Sequence, residues 1–107
     1  MAPEKPGIYQ FEIRGKIYVG ETDRLPRRFQ HYRTPGPSQP TNIRINHSIL
    51  IALDEGFKIF VSTIEQATIS INGIDSPLDL SKKSGRLLVE SAVLSSAHLS
   101  GQLVENL

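Results

Sequence analysis

The most constraining feature of this chain is an alternation of side chains with period two over residues 7–22, "GIYQFEIRGKIYVGET". Two runs rich in β-branched and aromatic residues flank Arg14-Gly15, and such runs around a two-residue turn predict a β-hairpin. Glycine at the second turn position tolerates the positive φ that a tight turn needs. We therefore expect residues 7–14 and 16–22 to be the two strands.

Two tyrosines share one face of this hairpin. The predicted turn pairs Phe11 with Tyr18 and Tyr9 with Gly20, and paired residues project to the same side of a sheet. Tyr9 and Tyr18 are then diagonal neighbours, with Cα atoms roughly 7–8 Å apart. Because glycine has no side chain, we expect Gly20 to leave open space beside the Tyr9 ring.

A short helix is predicted over residues 24–33, directly after the hairpin. Asp23 is a suitable N-cap, and Pro26 falls in the first turn, where a missing N–H costs little. Residues 34–40 contain three prolines and are predicted to be a loop. The apolar positions at helical spacing are Leu25, Phe29 and Tyr32.

Further helices and strands are predicted in the rest of the chain. A second helix begins at Thr41 or Asn42, and residues 57–64 follow as a strand that is apolar on both faces, as central strands are. Residues 65–80 are interpreted as irregular, and residues 84–98 as a third helix. The apolar stripe of the second helix is predicted to contain Ile45, Ile49, Ala52 and Leu53.

These elements predict one domain over residues 1–107, with residues 1–6 as a loose lead-in. The expected fold class is α/β (α+β): a small central sheet of about three strands, opening with a β-hairpin and flanked by helices.

Composition excludes several classes of site. The chain has no cysteine, so disulfides, thiolate zinc sites and cysteine nucleophiles are excluded, and its three histidines are scattered. No apolar run approaches the ~18 residues of a membrane span, and no signal peptide precedes Gly7, so we expect a soluble intracellular protein.

Positive charge is concentrated in one part of a nearly neutral chain. Residues 14–44 contain seven basic side chains against two acidic ones, although the net charge of the whole chain is only +1. Such a segment favours a surface that faces a polyanion, most often through phosphate. The side chains predicted to contact nucleic acid are Lys16, Arg24, Arg27, His31, Arg33, Arg44 and His47.

A carboxylate interrupts the apolar stripe of the third helix. Glu90 recurs at helical spacing with Leu87, Ser91 and Leu94. Burying a bare carboxylate is costly unless a cation or hydrogen bonds compensate it. Glu90 is therefore either a residue that flanks the stripe and reaches solvent or a ligand for a hard cation such as Mg²⁺.

Taken in order, these motifs resemble those of the GIY-YIG nuclease family, whose members include homing endonucleases, restriction enzymes and excision-repair nucleases. The resemblance extends from Gly7 to Asn106, with a gap between the glutamate and the asparagine near that of the family. The matching motifs are Gly7-Ile8-Tyr9, Tyr18-Val19-Gly20, Leu25-x-x-Arg28-x-x-x-Tyr32, Glu90 and Asn106.

The resemblance implies a role for each of these residues. Tyr9 matches the proposed general base, or the relay for the proton of the attacking water, and Tyr18 matches the tyrosine that orients water or phosphate. Arg28 matches the arginine that steadies charge on the phosphate. Glu90 matches the ligand of a single divalent ion, Mg²⁺ or Mn²⁺, and Asn106 matches the asparagine that supports the site.

This chain departs from the family pattern in two places. Eight residues separate the two motif tyrosines instead of ten or eleven, which keeps their side-chain parity. The family more often has histidine four residues after the arginine, where this chain has Tyr32. Arg28–Tyr32 is the favoured catalytic pair, and Arg27–His31 is the alternative.

The expected function is a metal-dependent endonuclease acting on DNA phosphodiesters, in DNA repair or restriction. Nearby cations such as Lys16 and Arg28 are expected to favour the ionised phenol of Tyr9. A non-catalytic nucleic-acid-binding module and a scaffold whose tyrosines only pack are the alternatives. Because the family's nuclease domains usually work with an added DNA-binding domain, the resemblance implies that the chain is expected to be a fragment, a module in a complex or a minimal standalone nuclease.

Overall fold

The structure, a computed structural model, describes residues 5–36 and 39–107. Residues 1–4 of the predicted lead-in and residues 37–38 of the predicted loop lie outside the described residues. The elements are β1 (Gly7–Ile13), β2 (Lys16–Thr22), α1 (Leu25–Arg33), α2 (Pro40–Asp54), β3 (Ile59–Ile64), β4 (Thr68–Ile71), β5 (Ile74–Pro77), α3 (Lys83–Leu99) and β6 (Leu103–Asn106). The predicted mixed α and β class, with helices flanking a sheet that opens with a hairpin, is confirmed.

The β1–β2 hairpin has the predicted register. Phe11 pairs with Tyr18, and Tyr9 pairs with Gly20. The turn residues Arg14 and Gly15 both have positive φ, 55° and 81°, as the tight turn favoured by twisted hairpins requires.

The main sheet has four strands in the order β3-β1-β2-β6, one strand more than expected. Strand β6 pairs parallel to β2, and its four residues are too few to give a periodic signal in the sequence. Strand β3 lies at the edge of the sheet, so its predicted central position is wrong. The side chains of Phe60 and Val61 are 59% and 53% exposed, since an apolar run on both faces does not by itself require burial on both.

Helices cover both faces of this sheet. Tyr9, Phe11 and Tyr18 pack against α1 and α2 on one face. Ile8 and Val19 pack against α3 on the other face. Side chains from the two helical layers can therefore meet only around an end of the sheet.

Both helices of the first layer begin differently from the sequence prediction. The N-cap of α1 is Arg24 rather than Asp23, and no side chain caps this helix. The N-cap of α2 is Gln39, so the helix begins at Pro40, which tolerates the first helical position. Leu53 was predicted in the apolar stripe of α2 but is exposed, because the buried stripe runs through Ile45 and Ala52.

The later elements correct two more predictions. Residues 65–80 are not irregular throughout: β4 and β5 form a second hairpin whose turn, Asn72-Gly73, has two positive φ angles. Helix α3 buries a stripe rotated from the predicted one, with Val89 buried and Leu87 exposed, while Glu90 is buried as well. Within the described residues, no helix is long and apolar enough to cross a membrane.

Candidate active site

A cleft of about 660 Å³ opens at the end of the sheet where β1 begins and β2 and β6 end. Helix α1 and the start of α2 form one wall, and α3 forms the other. The polar and charged side chains that line it are Tyr9, Glu21, Thr22, Asp23, Arg27, Arg28, His31, Tyr32, Gln39, Thr41, Asn42, Lys83, Glu90 and Asn106. Five distant parts of the chain therefore contribute to one concave, polar surface.

Tyr9 lies at the floor of this cleft in a tightly fitted position. Its side chain is only 2% exposed, and its hydroxyl is hydrogen-bonded to the Tyr32 hydroxyl at 2.8 Å, where either oxygen can donate. The ring packs against Phe11 and Phe29. The Tyr9 ring also fills the space over Gly20, where an added Cβ would overlap the phenol oxygen. The space predicted beside the Tyr9 ring is therefore not open, because the ring itself occupies it.

Burial decides the ionisation of the two bonded tyrosines. Desolvation raises the pKa of Tyr9 well above its ordinary value, and the neighbouring Tyr32 adds to this rise. Arg28 lowers the Tyr9 pKa, but its effect is smaller than that of burial. Desolvation also raises the pKa of Tyr32. Arg28 thus acts on Tyr9 in the expected direction, but burial outweighs it and Tyr9 is not ionised as expected; Lys16 instead stands over the Tyr18 ring at 5.0 Å.

The two candidate arginine pairs of α1 both reach the cleft wall. Of the two, Arg28 and Tyr32 are the residues tied to Tyr9, through the electrostatic effect of Arg28 and the hydroxyl–hydroxyl bond of Tyr32. Arg27 and His31 lie next to them on the same wall and present further positive charge and hydrogen-bonding capacity to the cleft.

Glu90 is a buried carboxylate on the opposite wall. Its side chain is 6% exposed and hydrogen-bonds the side chain of Asn106. Burial raises the pKa of Glu90, and the nearby carboxylate of Glu21 raises it further, although Asn106 and Lys83 oppose this. Among the described residues no cation forms an ion pair with Glu90.

Glu90 is a residue of the cleft that could hold a divalent cation. A cation beside Glu90 would compensate both its desolvation and its repulsion by Glu21. No group of three or more histidine, aspartate or glutamate side chains suited to a metal ion occurs in residues 5–36 and 39–107. Mg²⁺ needs only one or two carboxylates because it keeps several of its waters.

Not every predicted site residue lines the cleft. Tyr18 lies on the same sheet face as Tyr9, as predicted, but it is packed in the core under Lys16 and does not reach the cleft wall. Lys16 and Arg44 both pair with Glu105, and Arg33 donates to Gln30. The predicted nucleic-acid contacts that do not line the cleft are Lys16, Arg24, Arg33, Arg44 and His47.

An ion pair that sequence reasoning missed joins the hairpin to α3. Buried Arg86 donates from Nε to Glu21 at 2.6 Å. Glu21 follows Gly20 and therefore projects to the α3 face of the sheet, and Arg86 precedes Glu90 by four residues on one helix face. The four-residue spacing from Arg86 to Glu90 was visible in the sequence and indicated that Arg86 lies near Glu90. Only the tertiary packing brings Glu21 to Arg86.

A scan against protein-family models and searches of curated proteins and of solved structures match nothing to this chain.

Proposed function

We propose that this chain is a divalent-metal-dependent endonuclease that hydrolyses phosphodiester bonds in DNA. The observation that supports this most is the convergence of five motif residues at one cleft. Those five residues are Tyr9, Arg28, Tyr32, Glu90 and Asn106. They come from β1, α1, α3 and β6, which are far apart in the sequence, and they nevertheless line the same cleft.

Arg28 is proposed to bind the phosphate that is attacked. A guanidinium remains charged at any physiological pH and donates two parallel hydrogen bonds to phosphate oxygens. In the reaction these bonds would stabilise the negative charge that develops on the phosphate oxygens. Arg27 and His31 extend the same wall and would hold the adjoining strand.

The Tyr9–Tyr32 pair is proposed to carry the proton of the attacking water. Because burial keeps Tyr9 neutral, its oxygen can accept a proton only while its own proton leaves. The 2.8 Å bond to Tyr32 would provide that exit, with Tyr32 accepting the proton of Tyr9 while its own proton passes to water in the cleft that it lines. This is the relay alternative rather than the general-base alternative.

Glu90 is proposed to hold the divalent ion, with the Asn106 amide fixing the carboxylate. When bound, such an ion would supply charge stabilisation for the leaving oxygen. Glu21 lies close enough to influence Glu90 but is already bonded to Arg86, so Glu90 is the carboxylate left for the ion. Intracellular DNA is the expected substrate, read with the help of an additional DNA-binding subunit or domain.

A second candidate function is a nucleic-acid-binding module without catalysis. The neutral state of Tyr9 favours it, because a buried, protonated phenol is a poor base. Such a module would bind DNA in a salt-dependent way and release no product.

Cleavage assays distinguish the two functions. Plasmid nicking and cleavage of single-stranded, duplex and flap oligonucleotides are measured in Mg²⁺, in Mn²⁺ and in EDTA. The endonuclease predicts metal-dependent product that Glu90→Gln and Arg28→Ala each reduce by about 100-fold or more. The binding module predicts salt-sensitive binding with no product under any of these conditions.

Arg33→Ala is the matched control, because Arg33 is on the same helix as Arg28 but lies outside the cleft. It should keep nearly full activity. Equal activity of the wild type, Glu90→Gln and Arg28→Ala would contradict the assignment of the site.

A further inference from the structure

Lys83 is a cation on the cleft wall for which the proposed reaction has no role. It is the first residue of α3 and lines the cleft together with Leu87 and Glu90, one and two turns further along the same helix face. It lies on the α3 layer of the sheet, whereas Arg27 and Arg28 reach the cleft from the α1 layer. Positive side chains therefore stand on both walls.

The side chain of Lys83 is not committed to an internal partner. Its nearest carboxylate oxygen belongs to Glu21, at 4.0 Å, and Lys83 is 70% exposed. An exposed pair at that separation contributes little to stability. Glu21 already has a closer and buried partner in Arg86, at 2.6 Å. Lys83 can therefore turn to a phosphate without leaving the Glu21 carboxylate unpaired.

The backbone that carries Lys83 is firmly anchored. A Cβ at Gly85 would stand 2.6 Å from the Asp79 carbonyl oxygen, so the first turn of α3 lies directly on the preceding turn. Arg86 donates from Nη1 to the carbonyl oxygens of residues 80–81. These contacts fix the point from which the flexible Lys83 side chain extends over the cleft.

We propose that Lys83 binds a backbone phosphate of the substrate strand, next to the phosphate that Arg28 holds. This inference rests on the proposed function. A compact ammonium on a flexible stem suits a single phosphate contact, whereas the guanidinium on the other wall suits a bidentate one. With one contact on each wall, the strand crosses the cleft, and the substrate is an oligonucleotide rather than a single nucleotide.

The neighbouring lysine provides a matched control. Lys82 is exposed like Lys83 but is the N-cap of α3, with an extended backbone. It lines a separate depression with Asp79 and Leu88, outside the cleft. Lys82→Ala and Lys83→Ala therefore remove the same charge from adjacent positions, and only the second removes it from the cleft wall.

The test is fluorescence anisotropy with a labelled oligonucleotide in EDTA, at several salt concentrations, followed by cleavage kinetics in Mg²⁺. Lys83→Ala should weaken binding roughly fivefold at low salt and reduce the slope of log K against log salt by about 0.7–0.9. In cleavage it should raise KM, because the substrate strand loses one phosphate contact. Lys83→Arg should restore binding, and Lys82→Ala should behave as the wild type.

The results separate this inference from the function on which it rests. If the wild type binds and cleaves but Lys83→Ala and Lys82→Ala have equal affinities and salt slopes, the assignment of Lys83 is overturned and the endonuclease stands. If the wild type neither binds nor cleaves, the proposed function fails and this inference fails with it. Lys83→Gln is a second variant that also removes the charge but keeps a longer side chain than Lys83→Ala. Thermal melting shows whether each variant is folded.

Discussion

Replacing Gly20 with alanine tests how the scaffold positions Tyr9. An added Cβ would overlap the phenol oxygen and Cζ of Tyr9 and stand 2.9 Å from its Cε1. Ordinary carbon–carbon contacts are about 3.5–4.0 Å, so the Tyr9 ring must move. The backbone of Gly20 does not lie in the left-handed region, so an alanine there is not strained for any other reason.

The expected loss of stability follows from three contributions. Overpacking of a buried ring costs about 1–3 kcal/mol, and loss of the hydroxyl–hydroxyl bond between Tyr9 and Tyr32 costs about 1 kcal/mol. Replacement of glycine restricts the unfolded chain and offsets about 0.4–1 kcal/mol. Gly20→Ala should therefore reduce the free energy of unfolding by about 1–3.6 kcal/mol in urea titrations.

The same shift should also reduce the rate of the proposed cleavage. A displacement of about 1 Å in a catalytic group can cost about 100-fold in rate. A double-mutant cycle isolates the cause: in a Tyr9→Ala background, Gly20→Ala should no longer destabilise the protein, because the overlapping ring is gone. If Gly20→Ala costs the same free energy in both backgrounds, or leaves stability and cleavage unchanged, the Tyr9 ring does not pack against Gly20 as described.

Three further predictions concern ionisable side chains. The free energy of unfolding should fall above pH about 10, because Tyr9 ionises there in the unfolded chain but stays neutral in the folded protein. The loss from Tyr9 should be about 1.4 kcal/mol per pH unit. In urea titrations at pH 9 and pH 11, the difference in stability should therefore be smaller for Tyr9→Phe than for the wild type. Glu105→Gln should strengthen DNA binding in low-salt anisotropy titrations, because its two basic partners lose their counter-charge. Arg86→Gln should cost about 1.5–3 kcal/mol in the free energy of unfolding, since it removes the charge-assisted hydrogen bond to Glu21, and the double variant Arg86→Gln/Glu21→Gln should regain part of it.

The features that the sequence predicted well depend on local periodicity. The alternation around the Arg14-Gly15 turn determined the hairpin register and hence the shared face of Tyr9 and Tyr18. The spacing of four residues placed Arg28 and Tyr32 together on α1. In each case the residues that decide the outcome lie within one element or on either side of one turn.

The features that it predicted poorly depend on pairing between distant segments. Nothing local to residues 57–64 distinguishes an edge strand from a central one, because that depends on which strand pairs with it. The four residues of β6 become a strand only through β2, and this pairing also brings Asn106 to Glu90. Arg86 appeared as an ordinary helix residue until the packing of α3 set it against Glu21.

The ionisation of Tyr9 depends both on local periodicity and on packing between distant segments. Its position could be predicted from the hairpin, but its pKa depends on α1, which excludes water from the ring and supplies the Tyr32 hydroxyl. The sequence therefore located the residue and misjudged its protonation, because it revealed the nearby cation and not the burial that outweighs it. In the proposed reaction a neutral Tyr9 would act only through a bonded partner, so the hydroxyl of Tyr32 would be as necessary as that of Tyr9. Tyrosine at position 32, where the family that the sequence resembles more often has histidine, would then change how the proton moves, because a phenol accepts a proton only while passing one on.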